Sequence, residues 1–444
     1  MLEPDVEGAP WAPLADDAAY REQIAYLFAR SRFYQEKLAG FDARTVGGLA
    51  DIARLPFTEK DELRKTRSRA EPVGTHCTAR RDEIVRIYST SGTTGAPSYI
   101  PLTAGDLDVW QRVSSRSYAA SGVARGERVV STYNAGPFVA GAALGAFDKL
   151  GLCHIPVGTG NTERLMAAID LLGPTAAVMT PSYALHLIEW ARAREFDLAG
   201  ASVRRLMVAG EPGGGEPAMR AALEAGWGAS VTEAMGIGDI NVSLWGECEH
   251  KAGMHFSGRG FVHFELVDPA TGAPAPMVDG ATGELVLTHL VNRSAPLLRF
   301  RTRDHVRLGV GVCACGRTAP RVRCIGRTDD MLIVRGVNVF PSAVREVVNE
   351  FAPEVSGVLL IQPRQAGVRQ DPPLPIVVEL AKGASGEGSG EGLGEGLGEG
   401  LAEGLAERIR QRLRDKLVFA AEITLAPAES LPRSEYKSKL VAKH

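Results

Sequence analysis

The chain has 444 residues, of which 45% are hydrophobic and 23% charged, and 50 Lys and Arg residues nearly balance 53 Asp and Glu residues. This length allows two or three domains with sizeable cores. The near-neutral charge argues against an extended surface for nucleic acid or an anionic membrane, because such binding needs clustered positive charge.

The first 17 residues are acidic and lack the apolar segment of a signal peptide. No apolar run approaches the ~20 residues that a membrane-spanning helix needs. Six Cys residues are too few for a disulfide scaffold in a chain of this length, so we expect reduced thiols. These features predict a cytoplasmic enzyme.

Residues 17–70 are predicted to be rich in helix, because Tyr20, Ile24, Leu27 and Phe28 share one face at helical spacing. Short β-branched runs then alternate with Ala- and Leu-rich segments; the runs lie near residues 128, 152, 176 and 204. This alternation predicts mainly parallel sheets flanked by helices.

Between residues 260 and 310 the pattern changes to short strands joined by turns, which predicts a small antiparallel, barrel-like part. We therefore expect a large N-terminal α/β domain over residues 1–326.

Residues 327–444 are predicted to form a separate, small α+β domain. The segments MLIVRGVNVF, SGVLLIQPR and PIVVELAK are typical of strands, and SAVREVVNEF is typical of a helix. Gly-Glu-Gly-Leu repeats fill residues 383–400, which we interpret as a disordered or frayed insert because they cannot bury a continuous face. A helix is expected after it.

A loop rich in Ser, Thr and Gly, with the sequence YSTSGTTGAP, spans residues 88–97. Backbone amides and hydroxyls in such a loop can approach phosphate oxygens closely. The loop lacks the Gly-Lys-[Ser/Thr] ending of a Walker loop. A segment of this kind is by itself more often an ordinary turn, and the motifs that follow it favour the phosphate interpretation.

Four further motifs come in order: TEAMGIG at 232–238, RFRTRD at 299–304, GRTDDMLIVRGVNVFP at 326–341 and PRSEYKSK at 432–439. With the loop they closely resemble the adenylate-forming superfamily of acyl-CoA synthetases, luciferases and peptide-synthetase adenylation domains. The third motif, with SRFYQEKLAGFD and LPFTEKDELR near the N-terminus, resembles the phenylacetate–CoA ligase branch. The resemblance covers roughly residues 20–380 and 405–441, and it implies that the C-terminal domain is mobile.

In that superfamily a carboxylate attacks the α-phosphate of ATP and a thiol then displaces AMP, so the protein mainly positions reactants and neutralises charge. The resemblance implies a cradle for the β- and γ-phosphates made of Thr90, Ser91, Gly92, Thr93, Thr94 and Gly95. It implies further nucleotide contacts from Gly210, Glu211, Pro212, Thr232, Asp304 and Arg327. Asp304 would bind the ribose hydroxyls, and residues 210–212 would line the adenine. Glu233 would hold Mg²⁺, which prefers oxygen ligands.

Lys437 matches the lysine that reaches from the mobile domain to the α-phosphate and the substrate carboxylate. A compact ammonium group suits a charge that arrives only when it is needed. Lys439 is the alternative, because Tyr436 stands where the family usually has Gly.

Asp329 and Asp330 fall at the family's domain hinge, and Gly336 falls where backbone lines the entry for the pantetheine arm. Two residues depart from the family pattern. Ala229 stands where an adenine-stacking Tyr is usual, and Ala96 replaces a common Lys of the phosphate loop.

The cysteines form a second candidate site. Cys313 and Cys315 lie two residues apart, Cys248 lies upstream and His255 follows it by seven residues. Three thiols and one imidazole predict a closed, tetrahedral zinc site of structural type, with His250 as an alternative fourth ligand. The other interpretation is a core Cys and two unpaired surface thiols. The remaining cysteines are interpreted as small core residues or incidental thiols: Cys77, Cys153 and Cys324.

The acyl pocket is implied to include Tyr133, Gly136, Phe138, Ala140, Met235, Gly236, Ile237 and Asp239. Phe138 fits a pocket wall and a helix core equally well. Asp239 could accept a hydrogen bond from a ring amino or hydroxyl group, which favours a substituted benzoate such as anthranilate over phenylacetate.

The predicted function is AMP-forming ligation of an aromatic carboxylic acid to coenzyme A, with ATP and Mg²⁺. One alternative is an adenylation enzyme that loads the acyl group onto the pantetheine arm of a carrier protein. A non-catalytic ligand-binding relative is another, but the retention of Glu233, Asp304 and Lys437 argues against it. A monomer or a homodimer is expected.

Overall fold

A computed structural model describes residues 7–12, 14–42, 44–90, 98–133, 139–158, 160–328, 330–335, 337–365, 367–382, 396–432 and 440–442. The α-helices in these ranges are α1 (Asp17–Arg30), α2 (Arg32–Lys37), α3 (Lys60–Lys65), α4 (Ala104–Ala120), α5 (Ala143–Leu150), α6 (Thr162–Leu172), α7 (Pro181–Arg192), α8 (Pro217–Trp227), α9 (Pro341–Asn349) and α10 (Gly396–Leu417).

The strands up to the sheet's end are β1 (Ile84–Ser89), β2 (Tyr99–Thr103), β3 (Arg128–Ser131), β4 (Cys153–Pro156), β5 (Ala176–Met179), β6 (Arg205–Ala209), β7 (Ser230–Ile237), β8 (Asn241–Glu247), β9 (Met254–Phe256), β10 (Val262–Val267), β11 (Thr282–His289), β12 (Phe300–Gly309) and β13 (Arg321–Arg327). The later strands are β14 (Leu332–Val334), β15 (Val337–Val339), β16 (Val355–Ile361), β17 (Arg369–Gln370), β18 (Leu374–Leu380) and β19 (Ala421–Ala426).

The predicted apolar face of α1 is confirmed. Tyr20, Ile24 and Leu27 are each at most 2% exposed, and Phe28 packs at the edge of the same core. The Tyr20 hydroxyl donates to the Val46 carbonyl at 3.2 Å, so the buried ring also satisfies its polar end.

The predicted mixture of parallel and antiparallel strands forms one sheet in the order β10-β11-β12-β13-β9-β8-β7-β6-β5-β3-β4. Strands β4, β3, β5, β6 and β7 pair in parallel, and every later pair in this sheet is antiparallel. The antiparallel strands therefore continue the same sheet as the parallel strands, and the two parts join where β7 pairs with β8.

The loops that follow the parallel strands meet at one edge of the sheet, because parallel strands share the direction of their carboxyl ends. Ala209, the last residue of β6, pairs with Ala234 of β7, so Gly210 begins its loop beside Met235. The segments around Tyr133, Gly210 and Met235 are in this way brought to the same edge.

Residues 332–441 have a hydrophobic core of their own, built from α9, α10 and strands β14 to β19. The segment MLIVRGVNVF forms a hairpin, β14 with β15, rather than one strand. The helix α10 begins at Gly396, so part of the 383–400 insert is helical. Leu405, Ile409 and Leu413 anchor this helix in the core, which offsets the ~1 kcal/mol that each Gly costs in a helix.

Among the residues that the structure describes, no helix is long and apolar enough to cross a membrane.

Candidate active site

Glu233 lies on β7 and is half-buried. Burial and the nearby Glu247 carboxylate raise the pKa of Glu233 to about 7, opposed by Arg220 and by the Gly215 amide. Glu247 accepts hydrogen bonds from the Glu233 amide at 3.1 Å and from Arg220 Nη2 at 2.6 Å. A half-buried carboxylate in an acidic environment is a typical place for a hard cation to bind.

The glycine-rich loop Gly210–Glu216 packs directly against Glu233. A Cβ at Gly215 would lie 2.6 Å from Glu233 Oε2, and one at Gly214 would lie 2.3 Å from Val208 Cγ2. Arg220 Nε donates to the Gly214 carbonyl at 2.9 Å, which ties the loop to the helix that follows it. Gly214 and Gly215 are therefore explained by the close approach of this backbone to β6 and to the Glu233 carboxylate.

Asp304 and Arg327 face each other across β12 and β13. Arg327 Nη1 donates to Asp304 Oδ1 at 3.1 Å, and the Asp304 side chain is 15% exposed. Cys324 lies on the same strand as Arg327, and its burial, together with the Asp304 and Glu233 carboxylates, raises its pKa. The Asp304 and Glu233 carboxylates thus both act electrostatically on this one thiol.

The predicted phosphate loop joins β1 to β2, and its two ends are tied together. The Thr90 amide donates to the Ser98 carbonyl, and the Ser98 amide donates to Thr90 Oγ1, each at 3.0 Å. The Thr90 hydroxyl thus closes the base of the loop. The predicted cradle residues Ser91, Gly92, Thr93, Thr94 and Gly95 lie outside the described residues.

The side chain of Glu211 is held by the helix that follows β5. Its Oε1 accepts from the Ser182 amide at 2.8 Å and so caps the N-terminus of α7, where a carboxylate is favoured. The adenine contact predicted for Glu211 would therefore come from backbone. Thr232 is 5% exposed within β7, which leaves its side chain little access to a ligand.

The predicted acyl pocket divides into core residues and residues at the strand edge. Ile237 is 8% exposed and belongs to the large core, and Met235 packs beside it. A Cβ at Gly236 would lie 1.9 Å from the Val242 carbonyl oxygen, so close backbone rather than room for substrate explains this glycine. Tyr133 is half-buried and hydrogen-bonded to Tyr118. Gly136 and Phe138 lie outside the described residues, and Ala140 lies in the 3₁₀ turn Val139–Ala142.

Asp239 has an ion-pair partner that its sequence context did not indicate. Lys60 Nζ lies 2.7 Å from Asp239 Oδ2, and the Asp239 side chain is 10% exposed. One carboxylate oxygen is therefore occupied and its charge compensated, which weakens the case for Asp239 as an acceptor for a ring substituent.

Three cysteines and one histidine converge in the antiparallel part of the sheet. The Sγ atoms of Cys248 and Cys313 are 3.8 Å apart, and His255 Nε2 lies 3.4 Å from Cys248 Sγ and 3.5 Å from Cys315 Sγ. Ligands of a tetrahedral zinc ion, at ~2.3 Å for sulfur and ~2.0 Å for nitrogen, are separated by ~3.5–3.8 Å. The donor atoms thus fit zinc. The alternative ligand His250 lies in an exposed turn beside Glu249.

The predicted hinge and lysine segment are described only in part. Asp330 is exposed in a turn, whereas Asp329, Gly336, Lys437 and Lys439 lie outside the described residues. The segment that carries Lys437 is nevertheless tied down at both flanks. The Leu431 amide donates to Glu379 Oε2 at 3.0 Å, and the Ile361 amide donates to the Leu440 carbonyl at 2.8 Å.

The residues that sequence reasoning missed are partners rather than reactive groups: Lys60, Glu216, Arg220, Glu247 and Arg345. Each is an ordinary charged residue in a helix, strand or turn, and its ion-pair partner lies between 27 and 179 positions away. The one local signal for these partners is that Glu216 and Arg220 closely follow the glycine run 213–215.

The profile of the AMP-binding enzyme family matches residues 23–289, and that of the AMP-binding enzyme C-terminal domain matches residues 336–444. A phenylacetate-coenzyme A ligase of Thermus thermophilus is 36% identical over 389 residues, which are 85% of this chain and 84% of the relative.

Two solved structures of 2-hydroxyisobutyryl-CoA ligase resemble this chain to different degrees. The post-adenylation state with R3-HIB-AMP has a TM-score of 0.88 at 25% identity, covering 99% of this chain and 92% of the other. The thioesterification state with 2-HIB-AMP and CoA has a TM-score of 0.70 at 26% identity, covering 99% and 91%. The post-adenylation structure is thus the more similar of the two over the length of this chain.

Proposed function

The chain belongs to the AMP-binding enzyme family, and from that premise we propose that it activates an aromatic carboxylic acid with ATP and transfers the acyl group to coenzyme A. It is an AMP-forming acid–thiol ligase of the phenylacetate–CoA ligase-like branch. The observation that carries the proposal is the Glu233 carboxylate: the loop 210–216 packs against it, and the Gly215 amide of that loop hydrogen-bonds it.

In the first step a substrate carboxylate oxygen forms a bond to the α-phosphorus of ATP, and the bond from that phosphorus to the bridging oxygen breaks, releasing pyrophosphate. In the second, the thiol sulfur of CoA bonds to the acyl carbon, AMP leaves, and the thiol proton passes to solvent. Glu233 would hold Mg²⁺, which offsets phosphate charge. Asp304 would orient the ribose, and Lys437 would stabilise charge at the α-phosphate.

The test is a screen for acid-dependent pyrophosphate release over phenylacetate, benzoate, anthranilate and short aliphatic acids, with and without CoA. We expect an aromatic acid to give the highest kcat/KM, and an acyl-CoA product when CoA is added. Release with aliphatic acids only would contradict the aromatic assignment. Acylation of a carrier protein but not of CoA would contradict the acceptor.

Asp239 provides a prediction about selectivity. Since Lys60 already compensates its charge, Asp239→Asn should change the ratio of kcat/KM for anthranilate over benzoate by less than ~3-fold. The matched variant Lys60→Gln, which removes the other half of the ion pair, should behave alike. A loss of selectivity above ~10-fold in Asp239→Asn alone would instead show that this carboxylate binds the ring substituent.

We further propose that Cys248, His255, Cys313 and Cys315 hold a structural zinc ion. All four donor atoms lie within 4.8 Å of one another, and three of these residues are buried. Such a site would brace β8 and β9 against the loop between β12 and β13, and four protein ligands leave no position for substrate.

Metal analysis of protein never exposed to chelator should give about one zinc per chain. Cys315→Ser should no longer bind the metal, and its free energy of unfolding should fall by about 3 kcal/mol. This is the stabilisation expected from a ligand whose free concentration is ~100 times its Kd. Cys153→Ser, an exposed cysteine away from the cluster, is the control and should keep both. A metal-free native protein would contradict the site.

A further inference from the structure

Arg345 of α9 reaches out of the C-terminal core into the glycine-rich loop Gly210–Glu216. Its Nη2 donates to the Pro212 carbonyl at 2.7 Å and lies 2.8 Å from Glu216 Oε1. The Arg345 side chain is 4% exposed and that of Glu216 is 11% exposed. A charge shielded this fully from water is held only by well-aligned partners.

The loop is shaped to receive this guanidinium group. Gly213 has a φ of +137°, and a Cβ there would lie 3.1 Å from Arg345 Nη2. Any other residue at 213 would be strained and would crowd the arginine. Arg345 donates to the Pro212 carbonyl and Arg220 donates to the Gly214 carbonyl, so two arginines hold two carbonyl groups of one loop.

The same loop carries the effect to Glu233. Its Gly215 amide hydrogen-bonds the Glu233 carboxylate, and Arg345 interacts electrostatically with Glu211, Glu216 and Glu233. When the C-terminal unit moves away, Arg345 leaves with it. Among the residues that the structure describes, Arg220 would remain to oppose the charge of Glu233 and to pair with Glu247.

We propose that Arg345 is a positioning residue for the first half-reaction: by binding Pro212 and Glu216 it fixes the loop against Glu233 only when the C-terminal unit is docked. This inference rests on the proposed function and adds to it a coupling between the pose of the small unit and the cation site. The second half-reaction does not need the contact, because pyrophosphate has already left.

Three variants test the contact: Arg345→Gln, Glu216→Gln and the double variant. Arg412→Gln is the control, since Arg412 forms an ion pair with Glu350 inside the same small unit. Hydrogen exchange of peptides that span 210–216, measured without substrates, should be ~10-fold faster in Arg345→Gln and unchanged in Arg412→Gln.

The two half-reactions provide the functional readout. Acid-dependent ATP–pyrophosphate exchange should fall ~100-fold in Arg345→Gln, the loss expected when the reacting groups are slightly misplaced. The rate of CoA acylation from supplied acyl-adenylate should stay within ~2-fold of the wild type. The double variant should be no worse than either single variant, as for residues that act as a unit. Arg345→Lys should recover only part of the exchange activity. The ammonium group keeps the positive charge, but it lacks the planar fork that binds Pro212 and Glu216 together.

Unchanged hydrogen exchange in the loop, or an equal fall in both half-reactions, would overturn the proposal. If the wild-type protein activates no acid, the proposed function fails. The hydrogen-exchange comparison still decides in that case whether Arg345 holds the loop, so the two failures are distinguishable.

Discussion

Lys437→Ala should abolish most acid-dependent pyrophosphate release, with a loss of ~10²–10³-fold, while leaving CoA acylation from supplied acyl-adenylate nearly intact. The magnitude is that of removing one preorganised charge from a transition state in which charge develops. Lys437 belongs to a segment whose flanks are tied to Glu379 and Ile361, so the lysine must move with the C-terminal unit. The measurement is the rate of each half-reaction, taken separately.

Lys439→Ala is the matched control, because it removes an equal charge two residues away and tests the alternative assignment. It should keep pyrophosphate release within ~3-fold of the wild type, the range for a charge that takes no part in the chemistry. If Lys439→Ala loses the first half-reaction and Lys437→Ala does not, the assignment of the two lysines is reversed. If both variants release pyrophosphate at wild-type rates, the lysine has no part in the chemistry.

Glu233→Gln should lower kcat/KM for ATP by ~10²–10³-fold, because a neutral amide is a poor ligand for Mg²⁺ while its size and shape are kept. The loss should be partly recovered at high magnesium concentration. Titration of the rate against magnesium checks this, since damage to the acyl site would not respond to the metal.

The stability of Glu233→Gln separates the loss of a ligand from misfolding. Burial and Glu247 raise the pKa of Glu233 to about 7, above its ordinary value of 4.5. The ionised carboxylate therefore destabilises the fold as pH rises from 4.5, and fully so above 7. In magnesium-free buffer at pH 8 the variant should melt at the same temperature as the wild type or higher. A lower melting temperature would show that the carboxylate has a structural role.

The sequence predicts the parallel strands well, because β3, β4, β5 and β6 are short β-branched runs with helical segments between them. It predicts Glu233 and Asp304 through motifs, since the chemistry of each is fixed by its neighbours in the chain. It does not predict that Gly236 is required by the Val242 carbonyl, because that contact depends on the turn between two strands.

Long-range partners are the part that pattern reasoning cannot reach. Lys60 and Asp239 are 179 residues apart, and Arg345 and Glu216 are 129 apart. No local period connects such pairs. The choice of His255 over His250 also needs the fold, because His255 lies on β9 beside β8 and β13, whereas His250 lies in the preceding turn.

The central claim is that the carboxylate of the substrate attacks the α-phosphate of ATP. The most direct measurement uses an acid labelled with ¹⁸O in both carboxylate oxygens, together with ATP and CoA, and determines the mass of the AMP released. Attack at the α-phosphate predicts AMP that carries one ¹⁸O atom, with pyrophosphate unlabelled. Unlabelled AMP, or ADP with labelled phosphate, would contradict the account.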